Sequence, residues 1–478
     1  MDLHKRYEGM DIPGRLKDNR GSVLMWAVVM SLCIILVGAA YLILSAQFHK
    51  LYSWDLARIE NIYTTNSGLK IGVINFRDNR PSGIRGTFWD DYFATSRYGY
   101  GAAPIGGGSR GLASWVNYVI WGVGNTASAG GEFAWLDSVS YGFGAETFAD
   151  YLWITNSEHD MTTGNALYWW QTDTLDGRVH SNDTLFITAG QSYGPVFYKK
   201  VTSCQDDTKP PRNTYNYNLV FRGGFFPRST RIVFPDQADS VRRYARGECL
   251  IGSQATAPNK QYYIRFFDGN TFRVLERNRG QAFDTTYNVP GQGWQAPGVT
   301  IRRLPANGAI FVYGKLYIDA PKNVPGRSDL MGINGRVTIA SSDTMIIQRN
   351  VFLACSDTAG RIPLSCDDAL GLISENWLLM SRFCGVPVYP NRGALIVNAA
   401  IATLRGSMSV ENIDLAPEFN SLFIHGSIAQ LYRGIIHRGS LGNGHGFAQK
   451  DYIYDQRLAL NPPPHFIPTG TYKEYYVE

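Results

Sequence analysis

One uncharged run near the start of the chain constrains its fold more than any other feature. From Ser22 to Phe48 the sequence holds 27 residues without an Asp, Glu, Lys or Arg. A helix rises about 1.5 Å per residue, so this run is longer than the ~30 Å hydrocarbon core of a bilayer. It predicts one transmembrane helix over residues 22–48, and a buried core helix is the alternative.

The residues on either side of this run indicate its orientation and its full length. Residues 1–21 carry five basic side chains, the last of them Arg20 just before the run, which favours a cytoplasmic leader. A cleaved secretory signal has a shorter apolar core of about 7–15 residues. After Phe48, apolar residues recur near helical spacing up to Phe76. We therefore expect one helix over residues 23–76, with residues 49–77 as a periplasmic extension.

The rest of the chain has the composition of a mainly β protein. The whole chain contains 50 Gly and 13% aromatic residues but only 18% charged residues, fewer than the charged helices of an α protein need. Residues 78–147 are rich in Gly and aromatic residues, which predicts a neck or a loop-rich lobe. Residues 148–470 alternate short apolar segments with Gly, Asn and Asp turns, and residues 471–478 form a C-terminal tail.

A short repeated pattern suggests how these strands are arranged. A Gly, any residue and then an apolar residue recur at residues 177–179, 194–196, 314–316, 335–337, 371–373, 406–408 and 426–428. Three of the intervals are close to 20 residues, the length of one coil of a solenoid, in which each coil buries its apolar residues against the next. The pattern predicts a parallel β-helix-like solenoid, and a β-sandwich is the alternative.

The cysteines are too few and too unevenly spaced for a disulfide framework. Cys33 lies in the apolar run, and five others follow, which leaves at least one unpaired. In an oxidising compartment Cys355 and Cys366 could form a disulfide. The sequence has no CxxC or HxxxH spacing, so we expect neither a structural zinc nor another cofactor.

The junction at the start of the apolar run resembles a known leader sequence. Arg20 and Gly21, followed by Ser22 and an apolar helix, are similar to the leader junction of type IV pilin-like proteins, in particular the PilX-like minor pilins. The resemblance implies that a peptidase cuts after Gly21 and leaves Ser22 as the first residue. The chain departs from the pattern at Trp26, where these families often have a Glu.

Several blocks of the exported part resemble one bacterial family, the domain of unknown function 4900. The blocks are residues 151–158, 174–183, 194–198, 371–376, 397–401, 426–430 with Arg433 and Gly434, and 452–457 before a run of three prolines at 462–464. The resemblance covers residues 20–76 and about 150–470. It implies a pilin-like or pseudopilin-like anchor that carries a β-solenoid, a type IV pilus association and no established enzymatic activity.

One region concentrates the positive charge of the chain. Residues 212–303 hold 14 Lys and Arg against 6 Asp and Glu, a surplus of eight where the whole chain has +5, and 15 aromatic residues. Charge interleaved with aromatic rings suits a polyanion such as DNA or lipopolysaccharide. The candidate residues in this basic insertion, at about 200–305, are Arg242, Arg243, Arg265, Arg273 and Arg277. The alternative is a solvated β surface that includes a hairpin over residues 262–275, centred on Asp268 and Gly269.

Patterns that would indicate catalysis are weak. Residues 107–111 match the sequence motif of a nucleophile elbow. Their Gly-rich flanks, however, do not predict the preceding strand and following helix that this motif requires. His180 and Asp183 could form an acid–base pair, although turn capping explains them as well. The carboxylates that a solenoid hydrolase or lyase would need share no coil period: Asp367, Asp368, Glu375, Glu411 and Asp414.

These observations predict a membrane-anchored, exported structural or adhesive protein, associated with a type IV pilus or built like a pseudopilin. It would cross the bacterial inner membrane once, with its C-terminal domain periplasmic or extracellular. Its expected partners are the membrane, pilus or pseudopilus subunits and a polyanion; we expect no small-molecule substrate and no enzymatic activity. The alternatives are a polyanion- or DNA-binding minor pilin and a β-helix enzyme that acts on polysaccharides.

Overall fold

A computed structural model describes most of the chain. The described residues are 19–79, 88–93, 96–105, 117–127, 134–268, 270–283, 300–324, 327–382, 394–440 and 442–476. Strands make up 41% and helices 22% of the structure. The prediction of a mainly β chain with one long N-terminal helix is confirmed.

The helices are α1 (Asn19–Asn79), α2 (Tyr217–Val220) and α3 (Asp239–Tyr244). The first strands are β1 (Phe88–Phe93), β2 (Ser96–Ile105), β3 (Asn117–Ala127), β4 (Ala134–Thr147), β5 (Trp153–Ser157), β6 (Thr174–Asp176), β7 (Val179–Ser181), β8 (Val196–Phe197), β9 (Val201–Ser203) and β10 (Phe225–Phe226). The next are β11 (Leu250–Ile251), β12 (Lys260–Phe267), β13 (Thr271–Asn278), β14 (Thr300–Arg303), β15 (Ala309–Val312), β16 (Lys315–Ala320), β17 (Lys322–Val324), β18 (Arg327–Met331), β19 (Arg336–Ser341) and β20 (Met345–Val351). The last are β21 (Ala369–Ser374), β22 (Leu378–Met380), β23 (Ala394–Val397), β24 (Ala400–Thr403), β25 (Met408–Val410), β26 (Glu418–Tyr432), β27 (His437–Arg438), β28 (His445–Tyr454) and β29 (Pro468–Tyr476).

The chain divides into two compact units. The first comprises Met1–Pro104, Tyr118–Gly142 and Tyr475–Glu478, and the second comprises Ile105–Asn117 and Phe143–Glu474. The boundary falls within β2, β3, β4 and β29, which belong to a five-stranded sheet of order β1-β2-β3-β4-β29.

The first unit is built on helix α1, which is 61 residues long. It covers the whole of the predicted helix at residues 23–76, and that prediction is confirmed. The part from Val23 to Ile74 is long and apolar enough to cross a membrane. Its large apolar side chains between Val23 and Phe48 are exposed.

The later part of α1 packs closely on the sheet of this unit. A Cβ on Gly68 would lie 2.4 Å from the carbonyl oxygen of Gly99 in β2, and one on Gly122 in β3 would lie 2.3 Å from the backbone nitrogen of Leu69. Contacts this short leave no room for a side chain, so helix and sheet meet backbone to backbone. Glycine is required at both positions because of this approach.

The second unit contains two ladders of parallel strands. The strands of the first ladder follow the order β11-β15-β19-β21-β24-β26-β5-β7-β9-β10, with every pair parallel. The second runs from β12 through β16 and β20 to the side-by-side pairs β22–β25 and β23–β26, and on to β28, β6 and β8. We call one level of this stack a layer; it contains a strand of the first ladder and the neighbouring strand of the second ladder.

An antiparallel extension continues the second ladder beyond β12. Strand β12 pairs with β13, and β13 pairs with β14. The predicted hairpin at residues 262–275 is therefore confirmed, although Gly269 at its tip lies outside the described residues.

The order of the strands in the first ladder is not their order in the sequence. The chain enters the ladder in the middle, where Trp153 of β5 aligns with Ile428 of β26. It proceeds to β10 at one end, crosses through residues 227–249, and starts again with β11 at the other end. From there it returns strand by strand to β26. We call the β5–β26 pairing the seam, because it joins segments that are far apart in the sequence.

Register aligns one column of apolar side chains through the first ladder. The column consists of Ile310, Ile339, Leu372, Ile401, Ile428, Trp153, Val179, Val201 and Phe225. All of them are buried in one core cluster. Because each side chain before the terminal Phe225 is covered by the layers on both sides, burial stabilises by roughly 1.5–3 kcal/mol for each large aliphatic residue.

A second buried column in the same ladder is polar. Its members are Ser341, Ser374, Thr403, Gln430, Thr155, Ser181 and Ser203. The hydroxyl of Ser341 donates to the carbonyl oxygens of Gly314 and Asp343 at 2.8 and 3.0 Å, and Ser374 donates to that of Trp377 at 2.7 Å. These hydroxyls satisfy the backbone where each strand ends and the chain turns.

The opposite face of the first ladder is covered by the crossing segment. Val241 and Ala245 on and next to α3 are buried in a cluster with Phe311, Ala340 and Ile373, which lie on three neighbouring strands. The segment that returns the chain to the far end of the ladder therefore also contributes to the core.

Aromatic rings close the β10 end of the core. The rings of Phe197 and Phe221 stack with centroids 5.2 Å apart, and Phe221 contacts Phe225 at 5.1 Å. The hydroxyl of Tyr217 accepts the backbone N–H of Phe225 at 2.8 Å. This bond satisfies a donor on the terminal strand, whose unpaired edge would otherwise invite pairing with another chain.

The predicted pairing of Cys355 with Cys366 is confirmed. The two cysteines form a disulfide with Cα atoms 6.0 Å apart. The side chain of Asn398 donates to the carbonyl oxygen of Gly360 at 2.7 Å and holds the enclosed loop. Among the described residues the other cysteines are free, and Cys384 lies outside them.

Removing this disulfide should lower stability moderately. We expect the double variant Cys355→Ser, Cys366→Ser to lose about 2–3 kcal/mol of unfolding free energy, because the crosslink restricts a short loop in the unfolded chain. Urea unfolding of the detergent-solubilised protein measures this loss. Reduced wild type is the control and should match the variant; an unchanged midpoint in both would contradict the expectation.

Candidate functional site

Helix α1 carries a line of exposed apolar side chains beyond the membrane-length segment. Tyr52, Leu56, Ile59 and Tyr63 are 48–66% exposed. Their spacing of four, three and four residues puts them on one face of the helix, which we call the outer stripe.

The outer stripe lies opposite the face that packs on the sheet. The packed face includes Asn61, Thr65, Gly68 and Leu69, all buried, and these positions fall about half a turn away from the stripe. Packing on the sheet therefore leaves the stripe uncovered. A continuous exposed apolar surface of this kind marks a site of interaction.

The stripe continues the apolar surface of the segment from Val23 to Phe48, whose large apolar side chains are exposed. Past Tyr63 the same face carries Asn66 and Lys70, both exposed and polar. These polar residues interrupt the apolar surface about four turns beyond Phe48, and the exposed Ile74 lies one turn past Lys70 on the same face.

The two residues of the predicted processing site lie in the first turn of α1. The helix begins at Asn19, so the backbone of Gly21 and Ser22 is helical. Their side-chain environment lies outside what the structure describes.

Two of the five candidate arginines lie on α3, in the crossing segment. Arg242 pairs with the buried carboxylate of Glu375, and its guanidinium lies 4.8 Å from the centre of the Phe311 ring. Arg243 is exposed. Glu375 also accepts the backbone N–H of Ala238 at 2.9 Å, so it fastens the crossing segment to the first ladder.

The third candidate, Arg265, is fully buried. Its Nε and Nη2 donate to the two carboxylate oxygens of Asp319 at 2.7 and 2.6 Å, and both side chains are 0% exposed. The hydroxyl of Tyr263 donates to Asp319 at 2.8 Å, and burial raises the pKa of this tyrosine. Arg265 therefore does not reach the surface.

The last two candidates lie on β13. Arg273 is half-buried with its guanidinium 4.5 Å from the centre of the Phe267 ring, and Arg277 is exposed. The five arginines thus occupy three different environments: α3 over the first ladder, a buried pair between β12 and β16, and the hairpin strand β13.

His180 and Asp183 do not bond to each other. His180 is buried and bonds to the hydroxyl of Thr202 at 2.8 Å and to Oδ1 of Asn182 at 3.0 Å. Asp183 accepts the backbone N–H of Glu158 at 3.0 Å and that of Thr184 at 2.7 Å. Asp183 caps turns in two neighbouring layers.

Three of the five carboxylates considered for hydrolase or lyase chemistry have structural partners: Glu375, Asp368 and Asp414. Asp368 accepts the N–H of Gly335 at 2.6 Å, and Asp414 pairs with Arg438 at 2.6 Å. Asp368 lies near Cys355 and Cys366, but those sulfurs are committed to the disulfide.

Sequence reasoning missed a buried ion pair at the seam. Glu158 and Arg433 are buried, and Nη1 of Arg433 lies 3.1 Å from Oε2 of Glu158. Oε1 of Glu158 accepts the hydroxyls of Thr155 and, at 3.0 Å, Ser181. Arg433 lies 3.6 Å from the centre of the Trp169 ring.

This ion pair joins residues separated by 275 positions. Nothing in one sequence says that these two residues meet. Only the order of strands at the seam brings them together.

Buried histidines should make the second unit sensitive to mild acid. Burial lowers the pKa of His180, His425 and His465. As pH falls through about 6.5, the unfolded chain binds protons that the folded chain excludes, so stability is lost in that direction. We expect the melting temperature to fall between pH 7.5 and 5.5, above the range where carboxylates titrate. A constant or rising melting temperature would contradict this.

No protein-family model, no curated protein and no solved structure matches the chain.

Proposed function

We propose that this protein is a membrane-anchored structural subunit of a type IV pilus-like or pseudopilus-like assembly. In it, α1 packs among other helices and the second unit is a β-solenoid. The observation that carries the proposal is the outer stripe, an apolar face on one continuous helix, opposite the face that packs on a sheet.

The free-energy cost of leaving the apolar side chains of the outer stripe in water supports a helical partner that covers them. A bilayer covers about 20 residues of a helix, and the run from Ser22 to Phe48 already fills it. Covering a large apolar side chain gains roughly 1.5–3 kcal/mol, and the stripe has four. Packing among neighbouring helices would bury this surface in the way that ridges of side chains fit into grooves.

The parallel pairing of the second unit supports the solenoid part of the proposal. A β-sandwich is made of antiparallel sheets, whereas the two ladders here pair in parallel from layer to layer. Stacked layers with buried apolar columns are the arrangement that gives a solenoid its stability. Such a stack is stiff and suits a structural or adhesive role.

The disulfide supports a location outside the cytoplasm. Disulfides persist in the bacterial periplasm and at cell surfaces, and are rare in the cytosol. Together with the apolar part of α1, the disulfide of Cys355 and Cys366 favours an inner-membrane anchor with the second unit on the outer side.

Photocrosslinking in cells tests the proposal. A photoreactive phenylalanine analogue at Ile59 or Tyr63 should give crosslinks to other helix-bearing subunits or to a second copy. The control is the same analogue at Arg58, which is exposed but lies beside the stripe. Equal crosslinking at all three positions, or none at Ile59 and Tyr63, would contradict a helical partner on the stripe.

The alternative of a polyanion-binding minor pilin has narrower support. Of the five candidate arginines, Arg243 and Arg277 are exposed, and they lie on different elements, whereas Arg265 is enclosed with Asp319. A polyanion site built from all five would require Arg265 to leave its buried pair.

A further inference from the structure

The β10 end of the second unit has three cations that lie over aromatic rings. Within the described residues, β10 pairs only with β9, so this end closes the stack. Lys200 lies 4.7 Å from the centre of the Phe226 ring, Arg222 lies 5.1 Å from that of Tyr198, and Lys209 lies 5.7 Å from that of Phe186. We call these six residues the terminal collar.

The three pairs of the collar lie on three sides of the last layers. Phe226 belongs to β10 in the first ladder, and Tyr198 follows β8 in the second. Phe186 and Lys209 form a parallel bridge on a third side, next to the bridge of Trp169 with Ile187. The collar therefore surrounds the end and does not follow one groove.

The collar cations are free of carboxylate partners within the described part of the chain, in contrast to their neighbours. Arg212 pairs with Asp207 at 2.6 Å, and Arg228 pairs with Asp206 at 2.5 Å. These pairs use both carboxylates of residues 198–231, which hold seven Lys and Arg against two Asp. The surplus of five in this short segment equals the net charge of the whole chain.

Large aromatic side chains are exposed around the same end. Tyr193, Tyr198 and Phe226 all reach solvent, although neighbouring aromatic rings are buried. Exposed aromatic rings beside Lys and Arg are typical of protein surfaces that sit at the headgroup level of a membrane, where rings enter the interface and cations meet lipid phosphates.

We propose that the terminal collar docks end-on to an anionic lipid surface. The shared chemistry is a plane of phosphate-bearing headgroups, either of phospholipid or of lipopolysaccharide. A linear polyanion such as DNA would bind in a groove along one side of the second unit. Cations and aromatic rings on three sides of one end can instead contact a flat layer of lipid headgroups together. The inference rests on the collar alone and does not depend on filament assembly.

The test uses the full chain in nanodiscs of zwitterionic lipid, which occupy α1. Vesicles of phosphatidylcholine, with or without phosphatidylglycerol or lipopolysaccharide, are then added, and flotation measures the nanodiscs they capture. Anionic vesicles should capture the wild type, and salt should weaken capture. The triple variant Lys200→Gln, Lys209→Gln, Arg222→Gln should reduce the apparent affinity about 100-fold at low salt, as three juxtamembrane cations predict.

A charge-matched control is the triple variant Lys315→Gln, Arg303→Gln, Arg361→Gln, in which Arg303 and Arg361 are exposed. It includes Lys315, which lies 5.2 Å from the centre of the Tyr317 ring, so it contains a cation–aromatic pair of the same kind away from the β10 end. It should bind vesicles like the wild type. Melting temperatures near that of the wild type establish that both variants are folded.

Three outcomes would overturn the proposal. They are equal capture by neutral and anionic vesicles, equal losses in the two triple variants, and collar-dependent binding of soluble DNA that is as tight as vesicle binding. Capture that depends on only one of the two anionic lipids identifies the headgroup. Vesicle capture tests the terminal collar, and photocrosslinking at Ile59 tests the filament proposal. Either proposal can therefore fail while the other is supported.

Discussion

Replacing Glu158 with Gln should lower the unfolding free energy of the second unit by about 3–5 kcal/mol. The change leaves the buried Arg433 without its counter-charge, and an unpaired buried charge costs several kcal/mol. The pair lies at the seam, so the loss should appear as separation of residues 153–226 from β26. Urea unfolding followed by tryptophan fluorescence measures it, because Trp153 and Trp169 lie next to each other at the seam, 5.1 Å apart.

An exposed ion pair in the same unit provides the control. In Asp414→Asn, the partner Arg438 keeps access to water, since the side chains of this pair are 68% and 40% exposed. A surface pair is worth about 0–1 kcal/mol, so this variant should unfold almost like the wild type. A loss below about 1 kcal/mol in Glu158→Gln would contradict the seam pair as an important contact.

The second large effect concerns Arg265. We expect Asp319→Asn to cost about 3–5 kcal/mol, because the guanidinium would stay enclosed between β12 and β16 without a carboxylate. Equilibrium unfolding in urea gives the magnitude. Hydrogen exchange of the β12 amides locates the effect, and these amides should lose protection before those of β26.

A double replacement separates pairing from packing. Arg265→Met with Asp319→Leu removes both charges and keeps apolar volume, so it should be near the wild type and well above Asp319→Asn in stability. If Asp319→Asn is neutral, Arg265 reaches water in solution, and the buried environment assigned to it is wrong.

Several parts of the fold were predictable because their causes are local. The apolar run required a helix, and the spacing from Leu51 to Phe76 extended it, as α1 confirms. The hairpin of β12 and β13 follows from a turn pair between two aromatic strands. Cys355 and Cys366 are close in sequence, so their pairing needs little loop closure.

The remaining features depend on contacts between distant segments. The Gly-x-apolar pattern is similar at residues 177–179 and 426–428, so it cannot show that the layer containing β5 stacks on β26. From the sequence alone, Arg265 is expected to be a surface cation in a strand of alternating residues. The pairing of β12 with β16 places Asp319 beside it. Glu158 and Arg433 also meet only because the layers stack in this order. The collar cations likewise lie over aromatic rings of neighbouring layers.

The most direct test of the anchored, pilin-like subunit is the N-terminal sequence of the protein extracted from membranes. The account predicts that the chain is found in the inner-membrane fraction and begins at Ser22, with Gly21 removed together with the leader. A protein that retains Met1, or that is recovered from the cytosol, would contradict it.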